Sequence, residues 1–193
     1  MILDDNNIPK VLIVDDEPEN LLILVDMLED MGVELFVASN GEEALRIVEI
    51  QDFDLIVLDI IMPGIDGYTV CETIKKNPKT KDIPTVFISV LYSIEDKIKA
   101  FDCGADDYIS KPFIQQELVA RVQLHLNKSI IFKSIKQLLR KSYHELYNPL
   151  AVINTSLEMQ NLKYGPSRYM DSIAVASKTL QLVYDDLYYS LNT

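Results

Sequence analysis

The sequence predicts an α/β unit built on a parallel sheet, followed by a purely helical unit. Three observations carry that reading. Five short apolar runs alternate with helix-patterned segments up to about residue 112. From Ile114 onward no strand-like run remains, and the chain reads as helix for about fifty residues. The charge also changes sign: residues 1–127 hold 10 Lys/Arg against 25 Asp/Glu, a net of −15, whereas residues 128–193 hold 8 against 5, a net of +3. Such asymmetry marks two units with different tasks.

The first strand is Lys10–Val14 (KVLIV), ending in Asp15-Asp16. Glu17–Met31 has helical periodicity, with Leu21, Leu24, Val25 and Leu28 on one face. Pro18 suits its first turn and Gly32 its stop. Glu34–Ala38 is a second strand, and Gly41–Val48 a helix with Ala44, Leu45 and Val48 inward. Asp54–Leu58 (DLIVL) is the third strand and runs into Asp59. Pro63-Gly64 and Asp66-Gly67 mark a loop. Tyr68–Lys76 is helical, Thr85–Ser89 (TVFIS) the fourth strand, Ile94–Ala100 a helix, and Asp107–Ile109 a short fifth strand before Lys111-Pro112. Strands this uniformly apolar need cover on both faces, as in a doubly wound parallel sheet. In such sheets ligands bind beyond the carboxyl ends of the strands.

The helical unit carries two stripes. Phe132, Ile135, Leu139, Ser142, Leu146, Leu150, Ile153 and Leu157 follow one another at spacings of three and four. Gly165-Pro166 breaks the helix, and Ser167 is a candidate cap for the next. Ile173, Ala176, Leu180, Val183, Leu187 and Leu191 form the second stripe. Two helices joined by a short turn make an antiparallel hairpin. One hairpin does not cover both stripes, so two of them pairing as a dimeric four-helix bundle is the expected solution. Each well-buried Leu or Ile contributes roughly 1.5–3 kcal/mol there. The expected boundaries are 8–127 and 128–193.

Candidate chemistry concentrates at the strand ends. Asp15, Asp16 and Asp59 converge there, and three close carboxylates are tolerable when a hard cation neutralises them. Mg²⁺, which prefers oxygen ligands, suits them. A carboxylate can attack phosphorus to give an acyl phosphate. Lys111 is placed to hold a phosphoryl oxygen as a point charge, and the Ser89 hydroxyl to donate to another. Taken singly, each residue has an ordinary explanation, Asp15-Asp16 as a helix cap among them.

The stretches VLIVDDEPEN, LIVLDIIMPGIDGYTV, TVFISV and GADDYISKPF resemble the receiver domain of two-component response regulators over residues 10–127. That resemblance implies a flavodoxin-like fold and phosphorylation of Asp59. It implies Mg²⁺ on Asp15, Asp16, Asp59 and the Ile61 carbonyl, and contact of Ser89 and Lys111 with the phosphoryl group. It places Tyr108 as the switch aromatic that responds to Ser89, and it implies a cis Lys111–Pro112 bond. Ile61 and Leu91 flank the site and are apolar, which leads us to expect slow loss of the phosphate.

The helical unit holds His144 in the run SYHELYNPL, off the apolar stripe. Glu145 beside it can accept the Nδ1 proton, and Pro149 is expected to loosen or bend the helix. The run resembles the phosphoacceptor box of the dimerisation and histidine-phosphotransfer domain of sensor histidine kinases. It implies His144 as phosphoacceptor, Glu145 as its acid/base partner and Asn148 as a water-positioning residue. Tyr147 departs from that box, where many kinases have arginine. The other histidine, His125, reads as a surface residue.

Several expectations about partners follow. No glycine-rich nucleotide motif is present, so no self-contained kinase activity is expected. The phosphate then comes from a cognate histidine kinase or phosphotransfer protein, in a phosphorelay. Alternatively, the chain is a piece of a hybrid sensor kinase needing an ATP-binding domain in trans, or a response regulator whose helices only dimerise. The basic stretch Lys128, Lys133, Lys136, Arg140 and Lys141 reads as a solvated helix face. The helices lack the short first helix and tight turn of a DNA-reading motif, so no nucleic-acid partner is expected. No apolar run is long enough for a bilayer, and the N-terminus lacks the order of a signal peptide. The reading is cytoplasmic and homodimeric. Cys71 and Cys103 lack metal-ligand spacing and read as small semi-buried residues.

Overall fold

The protein is described by a computed structural model covering residues 8–165 and 168–190, apart from the side chains of His144, Tyr164, Arg168, Tyr169, Leu187 and Ser190. The expected cap Ser167 and the stripe position Leu191 lie outside the described residues, as does the side chain of Leu187. The chain divides into two compact units between Ile131 and Phe132.

In the first unit, strands and helices alternate in the order β1 (Lys10–Val14), α1 (Pro18–Leu28), β2 (Glu34–Ala38), α2 (Gly41–Ile50), β3 (Leu55–Asp59), α3 (Gly67–Lys76), β4 (Thr85–Ser89), α4 (Ile94–Asp102) and β5 (Asp107–Ser110). All strand pairs are parallel, in the spatial order β2-β1-β3-β4-β5. Each strand's alternation divides its apolar residues between two cores. Leu12, Val14, Ile56, Leu58 and Phe87 face one side with Ala44, Val48, Val70 and Ile74. Val11, Ile13, Leu55, Val57, Val86, Ile88 and Ile109 face the other with Leu24, Leu28, Leu118, Val122 and Leu126. Helix starts follow side-chain caps: Asn40, Asp66 and Ser93 accept from the backbone N–H groups of Glu43, Thr69 and Asp96.

Most departures from the sequence reading are at element ends. The first helix closes through a 3-10 turn, Glu29–Met31, onto Gly32 at φ 68°, a conformation that suits glycine. The helices expected to end at Val48 and Ala100 continue to Ile50 and Asp102.

Two long helices follow, α5 (Gln115–Tyr164) and α6 (Arg168–Ser190). Helix α5 runs on through Pro149, where the sequence suggested loosening or bending. In the second unit the two helices meet along a polar and aromatic seam. Tyr143 Oη donates to Asp185 Oδ1 at 2.8 Å, and Asn154 Nδ2 to Gln181 Oε1 at 3.1 Å. Tyr143 stacks on Tyr147 and Tyr188 at centroid distances of 5.3 and 4.3 Å. Leu157 and Ser177 are buried along this seam. Of the expected stripes, Leu157 is buried on this seam, whereas Leu146, Ile153, Ile173, Leu180 and Val183 are all exposed.

Candidate functional site

Register brings the site together. Val14 pairs with Leu58, Asp59 with Ile88, and Ser89 with Ser110, so four strands end at nearly one level. The residues that follow or close those ends are Asp15, Asp59, Ser89 and Lys111. Asp15, Asp16 and Asp59 offer carboxylate oxygens that all lie within 4.8 Å of one another. Asp15 and Asp59 are buried, and Asp16 is half-buried.

Lys111 lies between two of these carboxylates. Its Nζ is 2.8 Å from Asp15 Oδ2 and 2.7 Å from Asp59 Oδ2. The second oxygen of Asp59 accepts from the Ile60 N–H at 2.7 Å. Burial raises the Asp59 carboxyl above the ordinary range, opposed by Lys111 and reinforced by Asp15. Burial works against the Lys111 ammonium, yet the two carboxylates prevail and hold it above its usual value. The chemistry this permits follows from charge. Three carboxylates and one ammonium leave a net negative, all-oxygen cluster open to water at Asp16, which suits a hard divalent cation.

Ser89 is fully buried, and its Oγ accepts from the Leu91 N–H at 3.3 Å. Tyr108 is buried, with its hydroxyl donating to the Leu91 carbonyl. Its ring lies 6.5 Å from that of Phe87. Burial raises the Tyr108 phenol, partly offset by its contact with the Ser89 side chain. Ser89, Leu91 and Tyr108 therefore form one contact chain leading away from Asp59. Ile61 is half exposed beside the site and Leu91 partly buried. The Lys111–Pro112 bond is cis.

Two positioning residues had no signal strong enough to be singled out in the sequence. Asn20, on the first turn of α1, donates from Nδ2 to both oxygens of Asp15 at 3.0 and 3.2 Å, and to Glu17 Oε2 at 2.9 Å. Gly67, the first residue of α3, lies directly under Asp59. A Cβ there would fall 2.1 Å from the Asp59 carbonyl oxygen and 2.8 Å from Ile60 Cα. Only a glycine-like surface allows the helix to start so near the site.

His125 corrects the sequence reading. It is buried rather than at the surface, with only 4% of its area exposed. The reason is helical phase: Leu118, Val122, His125 and Ser129 are buried together, at spacings of four, three and four. Its Nε2 is 3.1 Å from Asp107 Oδ2, and both Asp107 oxygens also accept from Arg121 at 2.9 Å. His144, Glu145 and Asn148 lie on the continuous α5 helix. The side chains of Glu145 and Asn148 are exposed, and that of His144 lies outside the described residues. Among the described residues, no helix is long and apolar enough to cross a membrane.

Comparison with known proteins agrees with this geometry. Residues 11–123 match the family model for the response regulator receiver domain. The chain is 44% identical over 118 residues to the probable transcriptional regulator ycf27 of Cyanidium caldarium, covering 61% of this chain and 46% of that protein. It is 38% identical over 121 residues to the DNA-binding dual master transcriptional regulator RpaA of Synechocystis sp., covering 63% and 50%. It thus spans about half the length of these curated relatives. Among solved structures, the signal receiver domain of a signal transduction histidine kinase from Syntrophus aciditrophicus superposes with a TM-score of 0.59. That match has 34% identity and covers 62% of this chain and 91% of the other. The family match ends at residue 123 and so leaves out most of α5 and all of α6. With strand order, acidic cluster and family match in agreement, the chain belongs to the response regulator receiver domain family.

Proposed function

We propose that this protein is a two-component response regulator in which Asp59 accepts a phosphoryl group and the helical unit serves as a dimerising output. The observation that carries the reading is the Lys111 ammonium held between Asp15 and Asp59, with Asp16 within 4.8 Å. Asp15, Asp16, Asp59 and the Ile61 carbonyl are the groups that would hold Mg²⁺, which would neutralise charge as the phosphoryl oxygens approach. Asp59 supplies the attacking oxygen. Lys111 then exchanges a carboxylate for a phosphoryl oxygen, and Ser89 donates to another. As Ser89 turns toward the phosphate, the Leu91–Tyr108 contact loses one of its supports. The donor is a histidine kinase or phosphotransfer protein in the cytoplasm.

The exposed stripe on α5 and α6 supports a homodimer, because Leu146, Ile153, Ile173, Leu180 and Val183 need a partner surface to leave water. The names of the relatives speak for a transcriptional output in those proteins. Against an expectation of no nucleic-acid partner, they make a direct DNA-binding measurement worthwhile.

A second reading keeps His144 as a further phosphate station, favoured by the run HELYNPL on an unbroken helix. One experiment tests both. The protein is incubated with a small phosphodonor, and separately with a phosphorylated partner. Acid-labile and base-labile phosphate are then mapped in wild type, Asp59→Asn and His144→Ala. Base-labile phosphate that disappears in Asp59→Asn supports the receiver reading, and its persistence there refutes it. Acid-labile phosphate that disappears in His144→Ala supports the relay. A histidine that no donor phosphorylates leaves the hairpin as a dimerisation output alone.

A further inference from the structure

The chain has two cysteines, 32 positions apart, and the fold brings them together. Cys71 lies on α3, and Cys103 caps the end of α4. Both thiols are free. Cys71 Sγ lies 3.5 Å from the Cys103 carbonyl oxygen, and the two side chains are in hydrogen-bond contact with each other. Cys103 Sγ donates to the Ala100 carbonyl at 2.9 Å. Cys71 is fully buried, whereas Cys103 keeps 9% of its surface accessible at the helix end. The Lys75 stem runs past Gly104, and its Nζ bonds to Asp106 Oδ2 at 2.8 Å and to the Ile83 carbonyl at 2.9 Å.

The two thiols are chemically unequal. Contact with Cys103, together with burial, pushes the Cys71 thiol far up. The same contact lowers Cys103, aided by the Ala105 backbone N–H and opposed by burial. The residue that keeps some exposed surface is therefore also the better thiolate, an arrangement that suits thiol–disulfide exchange.

We propose that Cys71 and Cys103 form a reversible modification site, closing to an intramolecular disulfide between α3 and the end of α4 when a low-molecular-weight disulfide is present. The Cys103 thiolate attacks one sulfur of that oxidant, forming a mixed disulfide and releasing one small thiolate. The Cys71 thiol gives its proton to the released thiolate and attacks Cys103 Sγ, displacing the second small thiolate. Two protein thiols are oxidised, and one small disulfide is reduced to two thiols. The site is separate from the Asp59 cluster and does not rest on the phosphorylation reading.

The test uses the full chain with oxidised glutathione near neutral pH, quenched in acid and mapped by peptide mass spectrometry. The expected product is a peptide pair joining Cys71 to Cys103, with the loss of two hydrogens and full reversal by dithiothreitol. Cys71→Ser is expected to trap glutathione on Cys103, and Cys103→Ser to leave Cys71 unmodified. A urea melt of each variant confirms that it is folded. Oxidised wild type is expected to unfold at a higher urea midpoint than reduced protein, because the link closes a loop in the unfolded chain. Thiols that stay free in the folded chain and react only in urea would overturn the proposal. So would a product joining two chains in place of the internal link.

Discussion

Replacing Lys111 with methionine isolates what its charge does, because the side-chain stem is kept and the ammonium is removed. The ammonium lies 2.8 Å from Asp15 and 2.7 Å from Asp59, and its side chain is only 15% exposed. Without it, carboxylate oxygens within 4.8 Å of one another have no cation between them. At that separation, and with an effective dielectric of about 20, each pair of negative charges repels by about 3 kcal/mol. Removing one partner of a buried ion pair has a comparable cost, roughly 3–5 kcal/mol. The site is open to water at Asp16, so the expected loss at neutral pH is about 2–4 kcal/mol of unfolding free energy. It should shrink as pH falls, because burial already favours the protonated form of Asp59 and removing Lys111 favours it further. The second signature is metal dependence. In wild type a divalent cation must compete with the ammonium, whereas in Lys111→Met it replaces the missing charge. Urea melts with and without Mg²⁺ should therefore show a larger Mg²⁺ increment in the variant. A variant within about 0.5 kcal/mol of wild type without metal, or equal Mg²⁺ increments in both proteins, would refute the reasoning.

Four further outcomes follow from single contacts. Gly67→Ala places a methyl 2.1 Å from the Asp59 carbonyl oxygen, so it should destabilise by at least about 1–3 kcal/mol and slow phosphorylation of any folded fraction; a urea melt and a phosphodonor time course measure both. Replacing Ile61 and Leu91 together with polar residues should speed loss of the Asp59 phosphate; an unchanged decay of base-labile phosphate would show that apolar cover does not set the lifetime. Burial opposes ionisation of Asp107, but the Tyr108 N–H, Arg121 and His125 outweigh it and lower its pKa. Its contribution is then present above the ordinary carboxylate value and lost as pH falls through the lower folded value, so Asp107→Asn should flatten the acid limb of stability against pH. The Asp185 carboxylate holds the Tyr143 phenol up to about 12; ultraviolet titration should show that value fall toward that of a free tyrosine in Asp185→Asn.

The receiver was legible in the sequence because its determinants are local. Each strand is a run of β-branched and aliphatic residues, and each chemical residue follows directly on a strand end, so alternation alone places Asp15, Asp59, Ser89 and Lys111 on one rim. What alternation does not carry is the approach of one backbone to another. Gly67 reads as half of an ordinary Asp-Gly turn, and only the packing of α3 against Asp59 shows that a Cβ has no room there. Asn20 likewise carries no signal in the pattern until its amide is seen to donate to both oxygens of Asp15. His125 was misplaced because a histidine is ordinarily a surface residue, and its phase on the helix was not followed. Along α5 the buried Leu118–Val122 face continues through His125 to Ser129.

The helical unit shows the opposite limit. Periodicity identified two apolar stripes but did not say which surface each one covers. The helices of the unit pair mainly through Tyr143, Asn154, Ser177, Gln181 and Asp185, residues a hydrophobic pattern passes over, with Leu157 as the buried stripe residue beside them. A seam of this kind gains modestly from each hydrogen bond, about 0.5–1.5 kcal/mol, and buries little aliphatic surface. The aliphatic residues left open on both helices hold the larger gain, roughly 1.5–3 kcal/mol for each side chain fully removed from water. It follows that the two helices alone are the weaker arrangement and that association should stabilise them. Their unfolding midpoint should therefore rise with protein concentration, and Leu180→Lys with Leu146→Lys should remove that dependence while leaving the Tyr143–Asp185 bond in place. A midpoint independent of concentration in the wild-type chain, together with a monomeric mass in solution, would count against a dimer and leave those stripes without the partner that the reading requires.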